Sequence, residues 1–462
     1  ALDFPPMSFT SSNPATGKLL QRYRAHTTKQ VAAILAQVHG AQSAWRELAI
    51  DARAKHLHAV ATELRREIDD LARLMTAEMG KPISESRKEI EKCAMVCEFY
   101  AENAVGFLKP ERPKGAPAHA RVVYEPLGVM LSIMPWNYPF WQVFRAAVPA
   151  LAAGNTMLIK HAANVTGCAL AIENVFIRAG LPQGVLRVLL IPSERVAPLI
   201  ADPRVRMISL TGSTAAGKKV AALAGASLKP CVFELGGTDS YLVLDDADIA
   251  HAAKTLAAGR LINGGQSCIS AKRMIVVESV QKAFEKALVA EFRRTVKRGD
   301  PTKVTTTLGP MARADLRRDL HTQVTQAVKA GGRLLLGGKL PAGRGYYYPA
   351  TILTDVKPGS PAYAEELFGP VAVIIPVPDE AAAITAANDT PFGLGAGVFT
   401  QDKKRGEEIA RYHLDAGMAC VNDFVRSSPQ LPFGGTKESG YGRELGREGI
   451  LALVNTKTVS VK

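Results

Sequence analysis

Short aliphatic segments alternate with helical patterns through most of this chain, and this alternation is the feature that most restricts its fold. Strands separated by helices can lie parallel to one another, which predicts βα units and a largely parallel sheet between residues 139 and 230. A second α/β region is predicted from about residue 236 to 431. The strand candidates are residues 156–159, 185–189 and 207–210 in the first region and residues 241–244, 274–277, 372–375 and 397–399 in the second.

The segment before these regions is predicted to be helical. Amphipathic spacing of apolar residues dominates residues 28–108, and prolines follow it. Between residues 122 and 133, alternating aliphatic residues around Pro126 and Gly128 predict a β-hairpin. A chain of 462 residues is too long for one hydrophobic core, so two or three domains are expected.

Composition disfavours membrane and nucleic-acid proteins. No uninterrupted run of about 18 apolar residues occurs, so no membrane span is expected. The first residues lack the basic and apolar segments of a secretory signal, and the expected compartment is the cytoplasm. The net charge is +14, but acids interleave with the basic residues, as in 65–70 and 85–89. Such mixing indicates solvated helix faces and leaves nucleic-acid binding as a disfavoured alternative.

The cysteines and histidines predict no metal site. Six cysteines are scattered along the chain, which is typical of free thiols rather than a disulfide framework. Cys93 and Cys97 have the spacing of half a metal site on a helix, but no nearby His or second Cys pair completes it. Core packing is the better interpretation of these two residues.

One thiol and one distant acid suit covalent catalysis. Cys268 ends the segment Asn-Gly-Gly-Gln-Ser-Cys at 263–268, and Glu234 lies in Phe-Glu-Leu-Gly-Gly at 233–237. A thiolate can attack a carbonyl to form a thioester, and a carboxylate can then take a proton from the water that cleaves it. For either segment alone, the alternative is a tight turn with a buried, inert cysteine or acid.

Five further motifs occur in an order that is typical of one enzyme family. They are Met-Pro-Trp-Asn-Tyr-Pro at 134–139, Leu-Ile-Lys at 158–160, Thr-Gly-Ser-Thr at 211–214 with Gly217, Glu-Leu-Phe-Gly-Pro at 366–370 and Pro-Phe-Gly-Gly at 432–435. Together they resemble the motifs of NAD(P)-dependent aldehyde dehydrogenases, from about residue 8 to the C-terminus. Segments 140–145, 160–165 and 440–446 are most similar to bacterial succinate-semialdehyde dehydrogenases.

The resemblance implies a role for each catalytic candidate. Cys268 would be the nucleophile, Glu234 the general base, and Asn137 would stabilise the oxyanion together with the Cys268 N–H. Hydride would pass to the nicotinamide before water releases the acid. A CoA-acylating relative would instead pass the thioester to a thiol, but Glu234 favours hydrolysis. A catalytically silent relative would have lost the thiol or the acid, and this chain keeps both.

The same resemblance implies binding of NADP or NAD. The segment at 211–217 follows a predicted strand and opens a helix, whose free N–H groups can bind phosphate, although a simple helix cap is the alternative. Ala163 stands where many NAD-preferring relatives carry Glu, so we expect NADP to be used at least comparably with NAD. The cofactor-binding candidates are Trp136, Lys160, Ala163, Gly212, Ser213, Gly217, Glu366 and Phe368.

The substrate prediction depends on Arg145. Succinate-semialdehyde dehydrogenases place an Arg at the matching position to hold the far carboxylate of the substrate, helped by a serine. We therefore expect the substrate to be succinic semialdehyde, and we expect Arg145→Ala to spare neutral aldehydes. A general aldehyde dehydrogenase, with Arg145 as an ordinary salt-bridged arginine, is the alternative. The substrate-binding candidates are Trp141, Arg145, Ser267, Ser427 and Phe433.

The family also implies the domain organisation and a homo-oligomer. The expected fold is α/β, with a Rossmann-like cofactor domain at 1–118 and 138–235 and an α/β catalytic domain at 236–442. Segments 119–137 and 443–462 would form a small β oligomerisation element of a homodimer or homotetramer.

Some relatives carry a second cysteine two positions after the nucleophile, where this chain has Ser270, so no local disulfide switch is expected.

Overall fold

A computed structural model describes residues 8–462. Residues 1–7, where a secretory signal would begin, lie outside the described residues. Up to Phe107 the elements are β1 (Ser8–Ser12), β2 (Leu19–Arg24), α1 (Thr28–Glu47), α2 (Ile50–Arg66), α3 (Ile68–Met79) and α4 (Ile83–Phe107). The predicted helical character of residues 28–108 is confirmed. Cys93 and Cys97 are fully buried on α4, in agreement with core packing.

The next region alternates strands and helices. Its elements are β3 (Ala120–Pro126), β4 (Val129–Met134), α5 (Trp141–Ala152), β5 (Thr156–His161), α6 (Thr166–Arg178), β6 (Leu186–Val188), α7 (Ala197–Ala201), β7 (Val205–Thr211), α8 (Thr214–Ala226) and β8 (Cys231–Glu234). Short 3₁₀ turns cover Ala163–Val165 and Ser193–Arg195. The predicted βα alternation is confirmed.

The remaining elements build a second α/β region and the C-terminal segment. They are β9 (Ser240–Val243), α9 (Ile249–Leu261), a 3₁₀ turn at Ile262–Gly265, β10 (Arg273–Val277), α10 (Glu278–Thr295), α11 (Ala314–Lys329), β11 (Arg333–Leu336), β12 (Thr351–Thr354), α12 (Pro361–Ala364), β13 (Val371–Val377), α13 (Glu380–Asn388), β14 (Phe392–Gly393), β15 (Gly395–Phe399), α14 (Lys403–Glu408), a π-helix at Ile409–His413, β16 (Met418–Val421), β17 (Thr436–Lys437), β18 (Gly440–Tyr441), α15 (Gly446–Leu451) and β19 (Val454–Ser460).

Two large sheets organise these elements, and the predicted α/β fold class is confirmed. The first has the order β18-β8-β7-β4-β5-β6, and only β18 joins it antiparallel. Its chain order reverses beside β4, because β5 and β6 lie on one side and β7 and β8 on the other. Ligands of open α/β sheets bind at such a reversal, beyond the carboxyl ends of the strands. The second sheet has the order β11-β12-β13-β10-β9-β15-β16, with β11 antiparallel to its neighbour.

The predicted β-hairpin at residues 122–133 is wrong. β3 pairs antiparallel with β19, whereas β4 lies between β5 and β7 inside the first sheet. Almost every residue of β4 is buried, as expected for a strand covered on both faces. Gly128, with a φ of 129°, lies between β3 and β4 and allows the chain to leave the ribbon for the sheet.

No helix within residues 8–462 combines the length and apolar character needed to cross a membrane. The division into domains at 118, 138, 235 and 442 stays a prediction. The C-terminal segment contributes to more than one layer, because β18 pairs with β8 in the first sheet and β19 pairs with β3.

Candidate active site

A left-handed turn presents Cys268. Asn263, Gly264 and Gly265 have φ values of 53°, 60° and 74°. A side chain on Gly265 would place its Cβ 2.2 Å from the carbonyl oxygen of Gly369, so only glycine fits there. Gly265 is therefore required by the close approach of the Cys268 loop to the Glu-Leu-Phe-Gly-Pro segment, and Asn263 and Gly264 are residue types that tolerate the positive φ values of this turn.

Arg260 holds the Cys268 loop against the Glu-Leu-Phe-Gly-Pro segment. Its guanidinium is fully buried and donates hydrogen bonds to the carbonyl oxygens of Val371, Leu367 and Gly369 and to Ser270 Oγ. The Ser270 hydroxyl in turn donates to the carbonyl oxygen of Ser267 at 2.9 Å. Ser270, which stands where some relatives carry a second cysteine, is thus part of the support of the nucleophile loop.

Lys272 makes a second link between the loop and Glu366. Its ammonium donates to the carbonyl oxygens of Ser267 and Cys268 at 2.8 and 2.7 Å, and it lies 3.2 Å from Glu366 Oε1. The backbone N–H of Gly237 donates to the same carboxylate oxygen at 3.3 Å. The Glu366 side chain is therefore held in place, with Phe368 next to it in the chain.

Asn137 lies beside the Cys268 loop. Its Nδ2 donates to the carbonyl oxygen of Gln266 at 3.2 Å, and Asn263 Nδ2 donates to the Asn137 carbonyl at 2.8 Å. His161 Nε2 lies 2.8 Å from the carbonyl oxygen of Pro139, and burial lowers the pKa of His161 to about 4, so the ring is neutral at pH 7. Because an amide carries two hydrogens, Asn137 retains one donor for an oxyanion.

Glu234 ends β8 and is 1% exposed. Among the described residues, neither of its carboxylate oxygens has a hydrogen-bond partner. Burial raises the pKa of Glu234 well above its usual value, and the charge of Arg145 opposes this shift. A carboxyl group in this state can accept and hold a proton near neutral pH.

Arg145 is buried beside Glu234 and its charge is already paired. It lies on α5, forms an ion pair with Glu444, and donates to Thr211 Oγ1 at 3.4 Å. Its guanidinium carbon lies 4.5 Å from the centroid of the Phe433 ring. Arg145, Glu444, Glu234 and Thr211 are referred to below as the Arg145 cluster.

The Cys268 thiol is protonated at neutral pH in this arrangement. Burial raises the pKa of Cys268 to about 12, while the positive charges of Arg145 and Lys272 oppose the shift. A base must therefore remove the proton before or during attack on a carbonyl.

One cavity of about 600 Å³ contains the thiol, which is within the size range of small-molecule sites. The predicted substrate-binding residues all line it together with Cys268. These are Trp141, Arg145, Ser267, Ser427 and Phe433. The structure thus brings together residues from α5, the nucleophile loop and the segment between β16 and β17.

The first predicted cofactor residues lie at the carboxyl edge of the first sheet. Gly212 follows β7, and a Cβ there would meet only Leu210 Cδ2 at 3.7 Å, so the backbone can be approached closely. Ser213 caps α8 by accepting from the Ala216 N–H at 3.3 Å. A Cβ on Gly217 would lie 2.5 Å from Leu235, which makes this glycine a packing requirement.

The remaining predicted cofactor residues lie on both sides of this edge. Lys160 is the penultimate residue of β5, and its ammonium lies 3.4 Å from the Ser193 hydroxyl oxygen. Burial lowers the pKa of Lys160. Ala163 is exposed in the following turn. The rings of Trp136 and Phe368 meet edge to face at 5.7 Å. This edge of the sheet fits a dinucleotide phosphate. It offers the free N–H groups at the start of α8, the open backbone of Gly212 and the cation of Lys160.

Comparisons with known proteins agree with these motifs. The model of the aldehyde dehydrogenase family matches residues 5–459. The chain belongs to the aldehyde dehydrogenase family. A probable NADP(+) succinate-semialdehyde dehydrogenase of Synechocystis is 45% identical over 98% of this chain and 99% of its own length. The NAD(P)+ succinate semialdehyde dehydrogenase Sad of Escherichia coli is 44% identical, over 98% of both chains.

A solved relative shares the aldehyde dehydrogenase fold. The crystal structure of succinic semialdehyde dehydrogenase from Streptococcus pyogenes with NADP+ matches at a TM-score of 0.94 and 35% identity, covering 98% of this chain and 99% of that one. The resemblance inferred from the ordered motifs is therefore confirmed.

Sequence reasoning missed several residues that build the site. Arg260 and Lys272 fix the nucleophile loop, and Glu444 neutralises Arg145. Lys92 was also missed, although it lines the cavity. Basic residues in predicted helices and strand starts resemble surface residues in sequence, and only their burial in the structure distinguishes them.

Proposed function

We propose that this aldehyde dehydrogenase oxidises succinic semialdehyde to succinate with NADP or NAD. The observation that carries the proposal is the single cavity in which the Cys268 thiol, Arg145 and Ser427 lie together. The names of the Synechocystis, Escherichia coli and Streptococcus pyogenes relatives, all succinate-semialdehyde dehydrogenases that use NADP or NAD(P), support the same substrate and cofactors.

The proposed cofactor site comprises the carboxyl edge of the first sheet and the Glu366 segment. Gly212 and the start of α8 would receive the pyrophosphate, with Gly217 allowing α8 to pack closely. Lys160 would lie near the adenosine ribose, and its cationic group could accept a 2′-phosphate, because the exposed Ala163 offers no opposing carboxylate. Bound NADP or NAD would supply the hydride acceptor.

The protein groups divide the chemistry between them. The Cys268 proton passes to Glu234, which releases it to solvent, and the Cys268 sulfur bonds to the aldehyde carbon. The aldehyde oxygen becomes negative and would be stabilised by Asn137 Nδ2 and a backbone N–H. Loss of hydride from that carbon leaves a thioester. Glu234 then takes a proton from water, whose oxygen bonds to the thioester carbon and releases Cys268 and the carboxylic acid.

The catalytic residue assignments rest on the family motifs and on this geometry. Wild-type kcat/KM for succinic semialdehyde should exceed that for butanal by about tenfold to a hundredfold, the range expected for a charge-assisted contact. A spectrophotometric panel of both aldehydes, benzaldehyde and both cofactors tests this. If butanal or benzaldehyde is the better substrate, the proposal fails and a general aldehyde dehydrogenase remains.

We also propose a homodimer or homotetramer in the cytoplasm. The two-stranded ribbon of β3 and β19, with segments 119–137 and 443–462 around it, is the candidate oligomerisation element, because most of β19 is exposed in the single chain. The cysteines of the described residues are all free, which suits a reducing compartment. Light scattering coupled to size-exclusion chromatography measures the oligomeric state.

A further inference from the structure

Several basic residues line the substrate cavity, and most of them are either paired or exposed. Lys81 pairs with Glu89, Arg145 with Glu444, Arg294 with Glu291 and Arg426 with Asp423. Lys88 and Lys254 are exposed to solvent. Lys92 is the remaining basic residue of the cavity wall. It is half-buried, and among residues 8–462 no carboxylate oxygen lies within 4.0 Å of its ammonium.

The Lys92 ammonium is nevertheless held in one position. It donates a hydrogen bond to Ser427 Oγ at 2.6 Å and lies 4.0 Å from the centroid of the Trp141 ring. An ammonium group has three donors, so this arrangement leaves capacity for an anion in the cavity. Lys92, Ser427 and Trp141 are referred to below as the Lys92 cluster.

The acid nearest in the chain is already used elsewhere. Glu89, on the same helix, is buried and forms its ion pair with Lys81. Its other oxygen accepts from the N–H groups of Phe140 and Trp141 at 2.9 and 3.0 Å, at the start of α5. Glu89 therefore forms no ion pair with Lys92, and the Lys92 ammonium has no ion-pair partner among residues 8–462.

We propose that Lys92 binds the far carboxylate of the aldehyde substrate directly, with Ser427 placing its ammonium group above Trp141. This inference rests on the proposed function and names the group that selects a carboxylated aldehyde. Arg145, whose charge is shared with Glu444, acts on the same anion only through its more distant field. The resulting specificity is for a short aldehyde that ends in a carboxylate.

The charges around Lys92 give this contact a pH dependence. Burial lowers the pKa of Lys92 to about 8, and the charges of Arg145 and Lys81 act in the same direction, while Glu89 and Cys93 oppose them. In the free enzyme the ammonium is present below that pH and is lost as the pH rises through it. A bound carboxylate needs the ammonium, so preference for succinic semialdehyde should decline above about pH 8.

The test compares kcat/KM for succinic semialdehyde with kcat/KM for butanal in each variant. Titrations of Cys268 and Glu234 affect both substrates and cancel in this ratio. Lys92→Met should lower the ratio about tenfold to a hundredfold, chiefly through the KM of succinic semialdehyde, and should remove its decline above pH 8. Lys92→Arg should restore most of the ratio and keep it constant with pH, because a guanidinium stays charged.

Lys55→Met is the matched control, since it removes the same charge from an exposed position of α2, outside the residues that line the cavity. It should change the ratio less than about twofold, because solvent and salt screen exposed charges. A Lys92→Met enzyme with the wild-type ratio and pH profile overturns the inference, as does an equal loss in Lys55→Met. A wild-type enzyme that does not prefer succinic semialdehyde to butanal instead contradicts the proposed function.

Product inhibition of the wild-type enzyme provides a test that needs no variant. Succinate should inhibit much more strongly than butanoate below pH 8, and this advantage should decline above it. If succinate inhibition does not change between pH 7 and 9.5, Lys92 does not bind the carboxylate, even where Lys92→Met fails to fold.

Discussion

Two clusters of the same cavity use positive charge in different ways. In the Arg145 cluster, a buried guanidinium is matched by Glu444 and lies beside a second acid, Glu234. In the Lys92 cluster, the ammonium contacts a hydroxyl and an aromatic ring, and no acid of residues 8–462 pairs with it. A paired buried charge keeps neighbouring groups in place and sets their pKa values, whereas an unpaired one is available to a ligand. We therefore propose a catalytic role for the first cluster and substrate recognition for the second.

Substitution of Cys268 should have the largest effect on activity, because the oxidation of every aldehyde substrate requires this thiol. Cys268→Ala should lower turnover of succinic semialdehyde and of butanal on the order of 10³-fold or more, because no thioester can form. Cofactor binding, measured by fluorescence titration, should remain near the wild-type value. Wild-type turnover in this variant would refute the nucleophile assignment.

Arg145→Met should affect both substrates, in contrast to Lys92→Met. Removing one partner of a buried ion pair leaves Glu444 uncompensated and should reduce the free energy of unfolding by about 3–5 kcal/mol. This prediction of an equal loss for both substrates differs from the sequence-based expectation that neutral aldehydes are spared. Urea unfolding and the two kcat/KM values measure this.

The double variant Arg145→Met/Glu444→Leu is the control for the Arg145 prediction. It removes both charges of the pair, so most of the lost stability should return while activity stays low. If Arg145→Met remains stable and loses only succinic semialdehyde oxidation, Arg145 is itself the recognition residue and the contrast between the clusters disappears.

Glu234→Gln should slow hydrolysis of the thioester about a hundredfold and leave its formation faster than its breakdown. A burst of reduced cofactor should appear, and mass spectrometry should detect acyl-enzyme on Cys268. Because burial raises the pKa of Glu234, the fraction of enzyme with an ionised Glu234 increases as the pH passes through that raised pKa. Wild-type kcat should therefore increase over the same pH interval. The variant should lack this rise, and an unchanged steady-state rate would exclude Glu234 as the base.

The smallest effect should come from a residue outside both clusters. Ala163→Glu places a carboxylate near Lys160 at the proposed adenosine site and should shift the NADP to NAD preference toward NAD by about tenfold, through repulsion of the 2′-phosphate. The ratio of succinic semialdehyde to butanal should not change. A wild-type enzyme that strongly prefers NAD, with no shift in the variant, would contradict the proposed cofactor selection.

The sequence alone was sufficient for the fold class and the family. Alternating aliphatic and helical segments predict parallel sheets because each element has its own periodicity, and the ordered motifs around Cys268 and Glu234 are specific because covalent catalysis restricts the residue types. The left-handed backbone of the Asn-Gly-Gly turn is also a local property, since Asn and Gly are the residues that adopt it most readily. These features depend on neighbours in the chain, which a sequence displays directly.

Only the tertiary structure decided which partners distant residues find. The alternating segment at 122–133 was compatible with a hairpin, but β3 pairs with β19 and β4 enters the sheet, because strand pairing depends on segments far apart in the chain. Glu444 pairs with Arg145, and Ser427 accepts a hydrogen bond from Lys92, although about 300 residues separate the first pair and 335 the second. Burial and these long-range partners determine whether a charged side chain is paired or free to bind a ligand. For this physical reason the proposed substrate-binding cation, Lys92, could be identified from the tertiary structure and not from the sequence motifs.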